Sequence, residues 1–445
     1  MSAAASVRKI GPVLSTFVVA NNMIGSGFFL LPSTLARSGA VTSISWFIAT
    51  LLAVLLGTAF ARLARDYPDL ETPDDYVRPA LGRDLSFIAT TMYWVSSWIG
   101  NNAIAVAAFG YLVVLLPFDG SQPAVQVAGQ IALIWLMFAI NLMGPRQIAR
   151  FQSFCVVFGL LPVAVVLIFG WGSFDAALYE SAWNTTGASW NADKPAPVSD
   201  LSLVFSSLAP IFWAFVGLET GAMVAGVVRD PARNVPLATI GGVLIAGVVY
   251  LVSSVLVMGI APAQELSESS APFALVAGRI FGDWAIPVIA AAAALKASGT
   301  LGGWMLVTGE SGARAAQRGF LPAIFGRFTA RGAAGWGLFL VALSMTAIAL
   351  LTLAPKVSSQ FETIIGVVVM LVVLAYAAAG LSLLLGTRAR RPSGVDRLFG
   401  IGALVACALL LASYPLLTLV WGAALVAVVW ALFRVFGSRA VPAQR

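Results

Sequence analysis

Asn21-Asn22-Met23-Ile24-Gly25-Ser26-Gly27 sets two side-chain amides, a hydroxyl and two glycines inside an apolar segment long enough to cross a bilayer. Lipid offers no hydrogen bonds, so backbone freed by an unwound turn must be buried or line a polar cavity. Gly25 and Gly27 permit a break, and a helix restarting there would aim N–H groups at a carboxylate. Ser26 adds a hydroxyl donor. The other use for such residues is close packing of helices through small side chains. A second interruption, Trp213-Ala214-Phe215-Val216-Gly217-Leu218-Glu219-Thr220-Gly221, puts a carboxylate between two glycines. A carboxylate at membrane depth costs roughly 3 kcal/mol to insert, which marks Glu219 as a proton carrier or gate, or as a cap for broken backbone. Lys296 is a lone cation near the middle of another apolar segment. It suits proton exchange, or a fixed ion pair with Glu219.

Helical spacing gathers further groups. Lys296, Thr300 and Trp304 recur every four residues and share a face. Tyr93, Ser97 and Asn101 do the same, with Ser96 beside them. That face offers a ring, hydroxyls and an amide, either to a cavity or to a neighbouring helix. Trp213 precedes Gly217 by four and either covers a ligand or packs. Trp94 and Trp98 form the adjoining stripe, which reads as packing or lipid contact.

The elements that must carry these groups follow from composition. The 445 residues are 60% hydrophobic and 10% charged, and the mean hydropathy of +0.92 belongs to a polytopic membrane protein. About twelve spans are predicted, near 11–35, 40–61, 85–116, 124–143, 152–172, 201–226, 235–260, 282–309, 335–354, 361–386, 396–412 and 415–436. With both termini in the cytoplasm, 21 of the 26 basic residues fall on inner segments. Arg37, Lys194, Arg279 and Lys356 fall outside, and Lys296 lies within a span. The net charge of +7 is therefore topological and calls for no nucleic acid. The segment Asp66–Arg83 is expected along the cytoplasmic face, and the tail Ser438–Arg445 to be disordered.

The interrupted spans are the first and the sixth, and each opens a block of five. The blocks begin on opposite sides of the membrane, which is the inverted-repeat pattern of secondary transporters. The expected organisation is a first repeat over 1–172, an extracytoplasmic loop over 173–200, a second repeat over 201–386, and two further spans with a tail over 387–445. Cys155 and Cys407 both lie in apolar spans, and histidine is absent, so neither a disulfide framework nor a metal site is expected. No phosphate-binding glycine loop and no nucleophile–base pair is legible. An enzyme and a bound cofactor are thereby disfavoured.

Several motifs resemble the amino acid–polyamine–organocation permeases, and within them the basic amino acid/polyamine antiporters. They are Met23-Ile24-Gly25-Ser26-Gly27-Phe28-Phe29-Leu30-Leu31-Pro32, Tyr93-Trp94 through Trp98-Ile99-Gly100-Asn101, and Phe215-Val216-Gly217-Leu218-Glu219. Asp230-Pro231-Ala232-Arg233-Asn234-Val235-Pro236 and Leu301-Gly302-Gly303-Trp304 extend the similarity over nearly the whole chain. The resemblance implies an all-α polytopic membrane protein of the leucine-transporter type, with 12 transmembrane helices in a 5+5 inverted repeat and helices 1 and 6 broken at Gly25, Gly217 and Gly221. It implies that Ser26 and Gly27 hold a substrate carboxylate, and that the carbonyls of Met23 and Trp213 receive the α-ammonium. Ser96, Ser97, Asn101 and Trp304 would form the pocket for the distal group. Tyr93, Glu219 and Trp304 would form a gate on the cytoplasmic side.

Three departures stand out. Lys296 falls where the antiporter pattern has a small residue, Leu70–Tyr76 replaces a glycine-rich segment, and Val367–Leu374 is wholly apolar where the arginine pocket has a hydroxyl. The expectation is that Glu219 and Lys296 neutralise one another and that arginine is not the preferred substrate. The function expected is exchange of an amino acid against an amine by alternating access in a bacterial-type inner membrane. Proton-coupled uptake is the alternative, and a transporter-like sensor or a solute channel is the alternative of another class. The partners expected are a small amino acid or amine and the lipid bilayer, with a homodimer as one option.

Overall fold

The computed structural model describes residues 9–67, 76–118, 120, 122–223, 225, 228–354, 356–387 and 390–436. The Leu70–Glu71–Thr72–Pro73–Asp74–Asp75 stretch and the tail from Ser438 lie outside these. Among the described residues the chain is all-helical, with isolated bridges at Ile10–Val228 and Thr387–Arg390 and no strand.

The first apolar segment is two helices, α1 (Pro12–Met23) and α2 (Ser26–Leu35), bent by 45° at Ile24 and Gly25. Then follow α3 (Thr42–Asp66), α4 (Val77–Leu112), α5 (Pro123–Leu142), α6 (Pro145–Phe169) and the short α7 (Ala176–Ser181). The next apolar stretch is again divided, into α8 (Asp200–Ser206), α9 (Leu208–Phe212), a 3₁₀ turn over Trp213–Phe215, and α10 (Thr220–Met223). Beyond it come α11 (Pro231–Met258), α12 (Ala263–Glu268), α13 (Pro272–Phe281), α14 (Ala285–Gln317), α15 (Gly335–Leu351), α16 (Val357–Leu385), α17 (Gly394–Ala412) and α18 (Leu416–Phe436). Proline opens α1, α5, α6, α11 and α13, where its missing N–H costs no helical bond. Ser393 and Asp396 close a reciprocal cap on α17.

Nine helical stretches of the described residues are long and apolar enough to cross a membrane, or ten with the bent pair counted as one. The expected ninth and twelfth spans coincide with α15, of 17 residues, and α18, of 21. Phe154, Val157, Phe158, Leu161 and Ile168 stand exposed along α6. Their apolar outer face is what lipid contact demands.

Small residues let the central helices approach. At Gly159 of α6 an added Cβ would strike the Lys296 backbone at 3.0 Å, so this glycine admits α14 at the level of its buried lysine. α14 packs on α4 and α6, α16 packs on α4 and α17, and α11 packs on α1 and α3. The divided helices thus lie inside a cage of unbroken ones, which hold the freed backbone in register.

Candidate functional site

At the first break, Ile24 leaves the helical region (φ −71°, ψ 87°) and Gly25 is neither helical nor extended (φ −138°, ψ −138°). No side chain caps α2. The first N–H groups of a helix lack intrahelical partners, so those of Ser26 and Gly27 open onto the interior. At the second break the chain leaves the 3₁₀ turn through Val216 and reverses at Gly217, whose φ of +108° strongly favours glycine. A Cβ there would also lie 3.1 Å from Asn22 Nδ2 and 3.3 Å from the Trp304 ring. Asn22 Nδ2 donates to Thr220 Oγ1, tying the breaks together. Tyr250 OH donates to the Ala214 carbonyl at 2.9 Å, satisfying backbone freed by the second break.

Between the breaks lies a small, largely enclosed cavity. Met23, Gly25, Ser26, Gly27, Tyr93, Ser96, Ser97, Asn101, Trp213 and Trp304 all line it, so the structure gathers the sequence-derived candidates from four separate spans. Thr300, Val368 and Val372 complete the wall. Trp213 Nε1 donates to Ser26 Oγ at 3.3 Å, placing the indole across the start of α2.

The polar wall of α4 has a definite sense. Ser96 Oγ and Ser97 Oγ both donate to the Tyr93 carbonyl, at 2.7 and 2.8 Å. Their protons are spent, which leaves oxygen lone pairs. Thr308 Oγ1 donates to the Trp304 carbonyl at 2.8 Å and therefore accepts from Asn101 Nδ2 at 3.2 Å. That fixes the amide, and the buried Asn101 Oδ1 accepts no hydrogen bond. This end of the cavity is thus an array of neutral acceptors suited to a donor-only group. Thr308 is not among the sequence-derived residues, although it continues the four-residue series of Lys296, Thr300 and Trp304 by one turn of α14.

Glu219 is 1% exposed. It accepts from Tyr93 OH at 2.8 Å, from the Gly217 N–H at 3.1 Å and from Tyr376 OH. It caps the second break and joins α4 to α16 beneath the cavity without lining it. Tyr376 lies two residues beyond the apolar stretch Val367–Leu374, and its hydroxyl in that run is the sequence signal for a role at this site.

Two expectations are corrected. Gly221 does not break a helix: it lies within α10, and Thr239 Oγ1 fills the space its side chain would take, so its smallness serves packing on α11. Lys296 does not neutralise Glu219. Its Nζ donates to the Ile24 carbonyl at 2.7 Å and to Thr300 Oγ1 at 2.9 Å. The buried ammonium has taken a carbonyl set free by the first break, while three donors already satisfy Glu219. The expected sharing of one face by Lys296, Thr300 and Trp304 holds only in part. Thr300 and Trp304 line the cavity, and Lys296 lies behind Thr300.

Residues 10–441 match the family model described as amino acid permease. This chain belongs to that family. The permease is 36% identical over 379 residues to the cadaverine/lysine antiporter of Escherichia coli strain K12, covering 83% of this chain and 82% of that one. It is 33% identical over 372 residues to the putrescine transporter PotE of the same strain, with 84% and 82% covered. The corresponding PotE of Haemophilus influenzae is 31% identical over 383 residues, with 86% of each chain covered. Membership makes the protein a multi-pass membrane transporter rather than an enzyme, and it agrees with the resemblance carried by the motifs.

Proposed function

We propose that the permease exchanges an amino acid for a related amine by alternating access, with the cavity between the two helix breaks as its substrate site. The single observation that carries this reading is the cavity's chemistry: helix-start N–H groups of Ser26 and Gly27 at one end, neutral acceptors at the other. A substrate carboxylate docks on α2, where the helix dipole favours an anion. The Met23 and Trp213 carbonyls take the α-ammonium. Ser96, Ser97 and Asn101 receive a distal primary ammonium, with Trp213 and Trp304 against the aliphatic stem. Lysine and its decarboxylated diamine fit that division, and the names of the similar antiporter and putrescine transporter favour the same class. A diamine leaves the α2 end without an anion, so it binds through its ammonium groups alone. Arginine is disfavoured because Val368 and Val372 offer its second guanidinium nitrogen no partner.

The supporting architecture is twelve spans in a 5+5 inverted repeat over 1–172 and 201–386, with loop 173–200 outside and 387–445 as two added spans and a tail. Both termini face the cytoplasm of a bacterial inner membrane. On that orientation Tyr93, Glu219 and Tyr376 close the cytoplasmic path. The second reading is proton-coupled uptake. Lys296 favours it, since loss of its proton would remove a cation from the Ile24 carbonyl and loosen the first break.

Counterflow in proteoliposomes tests the proposal. Labelled lysine outside should accumulate faster when unlabelled cadaverine is loaded inside. Uptake that ignores the internal diamine but follows an inward proton gradient would replace exchange with symport. Flux without saturation would indicate a channel, and binding without flux a sensor.

A further inference from the structure

Outside the substrate site, a buried guanidinium lies at the end of the bundle that carries residues 173–200. Arg37, just past α2, is 5% exposed. Its guanidinium donates to Ser359 Oγ at 3.1 Å and to Ser358 Oγ, both on the first turn of α16. Nε lies 3.2 Å from Asp193 in loop 173–200, and Nη1 lies 3.9 Å from Glu362 on α16. Its carbonyl accepts from Asn191 Nδ2 at 2.8 Å. One side chain therefore joins the end of the first divided helix, the loop, and α16.

The environment makes this tie releasable. The N-terminal turn of α16 carries partial positive charge, which repels a guanidinium. The hold depends on the two serine hydroxyls and on carboxylates whose side chains are 48% and 49% exposed, where water weakens ion pairing. Burial pushes the neighbouring Lys194 ammonium below its ordinary range, and Glu362 opposes that shift. Lys194 Nζ is itself engaged by Ser38 Oγ at 2.6 Å.

The tie also stands across a path. Arg37, Asp193, Glu362, Pro210 and Thr363 line a vestibule of about 1520 Å³ of empty space. Trp213 and Val368, three and five residues further along the same two stretches of chain, line the substrate cavity. Only about one turn of helix separates vestibule from cavity, and α16, which Arg37 joins to α2, makes one side of the wall between them.

We propose that Arg37 is the outer latch of the permease: its contacts with Ser358, Ser359, Asp193 and Glu362 hold α2 against α16 and close the cavity to the outside. The latch rests on the alternating-access reading and on the orientation given above. Opening outward requires α2 and α16 to part, which strips the guanidinium of its hydroxyl partners and lets it rejoin water in the vestibule.

A thiol placed behind the wall reads this directly. In the full chain with Cys155→Ser and Cys407→Ala, Val368→Cys introduces a probe that is buried in the closed arrangement. A membrane-impermeant methanethiosulfonate applied from the outside should modify it about tenfold faster once the latch is removed by Arg37→Met. Ser358→Ala with Ser359→Ala removes the hydroxyl partners and leaves every charge in place. It should shift the rate in the same direction, and it decides the question if Arg37→Met does not fold. Reagent applied from the cytoplasmic side should react no faster, whereas a general loosening would raise both rates. Unchanged outside reactivity in a folded variant, or equal acceleration from both sides, would overturn the latch. The labelling needs no substrate, so failed counterflow with accelerated labelling would count against exchange and leave the latch standing.

Discussion

Replacing Asn101 by leucine separates the acceptor array from the fold that carries it. Asn101 Oδ1 is buried on the cavity wall and accepts no hydrogen bond, while its Nδ2 donates to Thr308. Leucine has similar volume and removes both atoms. Thr308 keeps its own acceptor in the Trp304 carbonyl, so no buried donor is stranded. The ligand-free protein should therefore unfold at an unchanged or slightly higher temperature, since an unsatisfied buried carbonyl has gone. A substrate ammonium, by contrast, loses one hydrogen bond between a charged donor and a neutral acceptor. Such a bond contributes about 1.5–3 kcal/mol, which corresponds to roughly 10- to 150-fold in Kd. Isothermal calorimetry on detergent-purified protein would give the values for lysine, for cadaverine and for norleucine, which is lysine without the distal amine. Lysine and cadaverine should weaken by that factor, and norleucine should not. Equal weakening of all three ligands, or none, would refute the assignment of this end of the cavity to an ammonium group.

Lys296→Met should weaken lysine, cadaverine and norleucine by one common factor, because it strands the Ile24 carbonyl and misplaces the start of α2 instead of touching the distal group. The loss is about 1–3 kcal/mol. Calorimetry showing tighter binding of the cationic ligands alone would mean that Lys296 repels substrate directly. Gly217→Ala should cost roughly 1–3 kcal/mol of stability through its φ of +108°, read as a lowered thermal midpoint. Its Cβ would also press on Asn22, so counterflow should fall further than stability does.

Much of the site was legible because membrane depth makes polar residues conspicuous. Gly25, Ser26, Gly217 and Glu219 could be picked out from their apolar flanks, and four-residue spacing put Tyr93, Ser97 and Asn101 on one wall. What could not be read was the identity of hydrogen-bond partners. Lys296 and Glu219 carry opposite charge and both are buried, so pairing them was the economical expectation. The structure instead gives each its own set of partners, because broken helices supply backbone donors and acceptors that leave no trace in the side-chain pattern. Gly217 takes the Glu219 carboxylate, and Ile24 takes the Lys296 ammonium. Gly221 was misread for a related reason. A glycine needed for a reversal and a glycine needed for contact look alike in sequence, and only the positive φ at Gly217 and the side chain of Thr239 against Gly221 tell them apart.

The same helix, α16, meets both polar clusters that flank the cavity. Ser358, Ser359 and Glu362 stand at its start beside Arg37, and Tyr376 stands 18 residues on, bonded to Glu219. At 1.5 Å per residue these contacts lie about 27 Å apart on one unbroken rod. Val368 and Val372 fall between them on the cavity wall. Neither valine can hold a polar group of the substrate, so α16 contributes shape there and polarity only at its two ends. The divided helices have the opposite design, polar at their breaks and apolar beyond. Their breaks line the cavity, while α16 joins the residues at either side of it. A displacement of α16 that releases Arg37 therefore bears on Tyr376 and Glu219 as well. On the proposed exchange mechanism the two ends of the site are coupled through α16, an element that need not contact the charged parts of the solute.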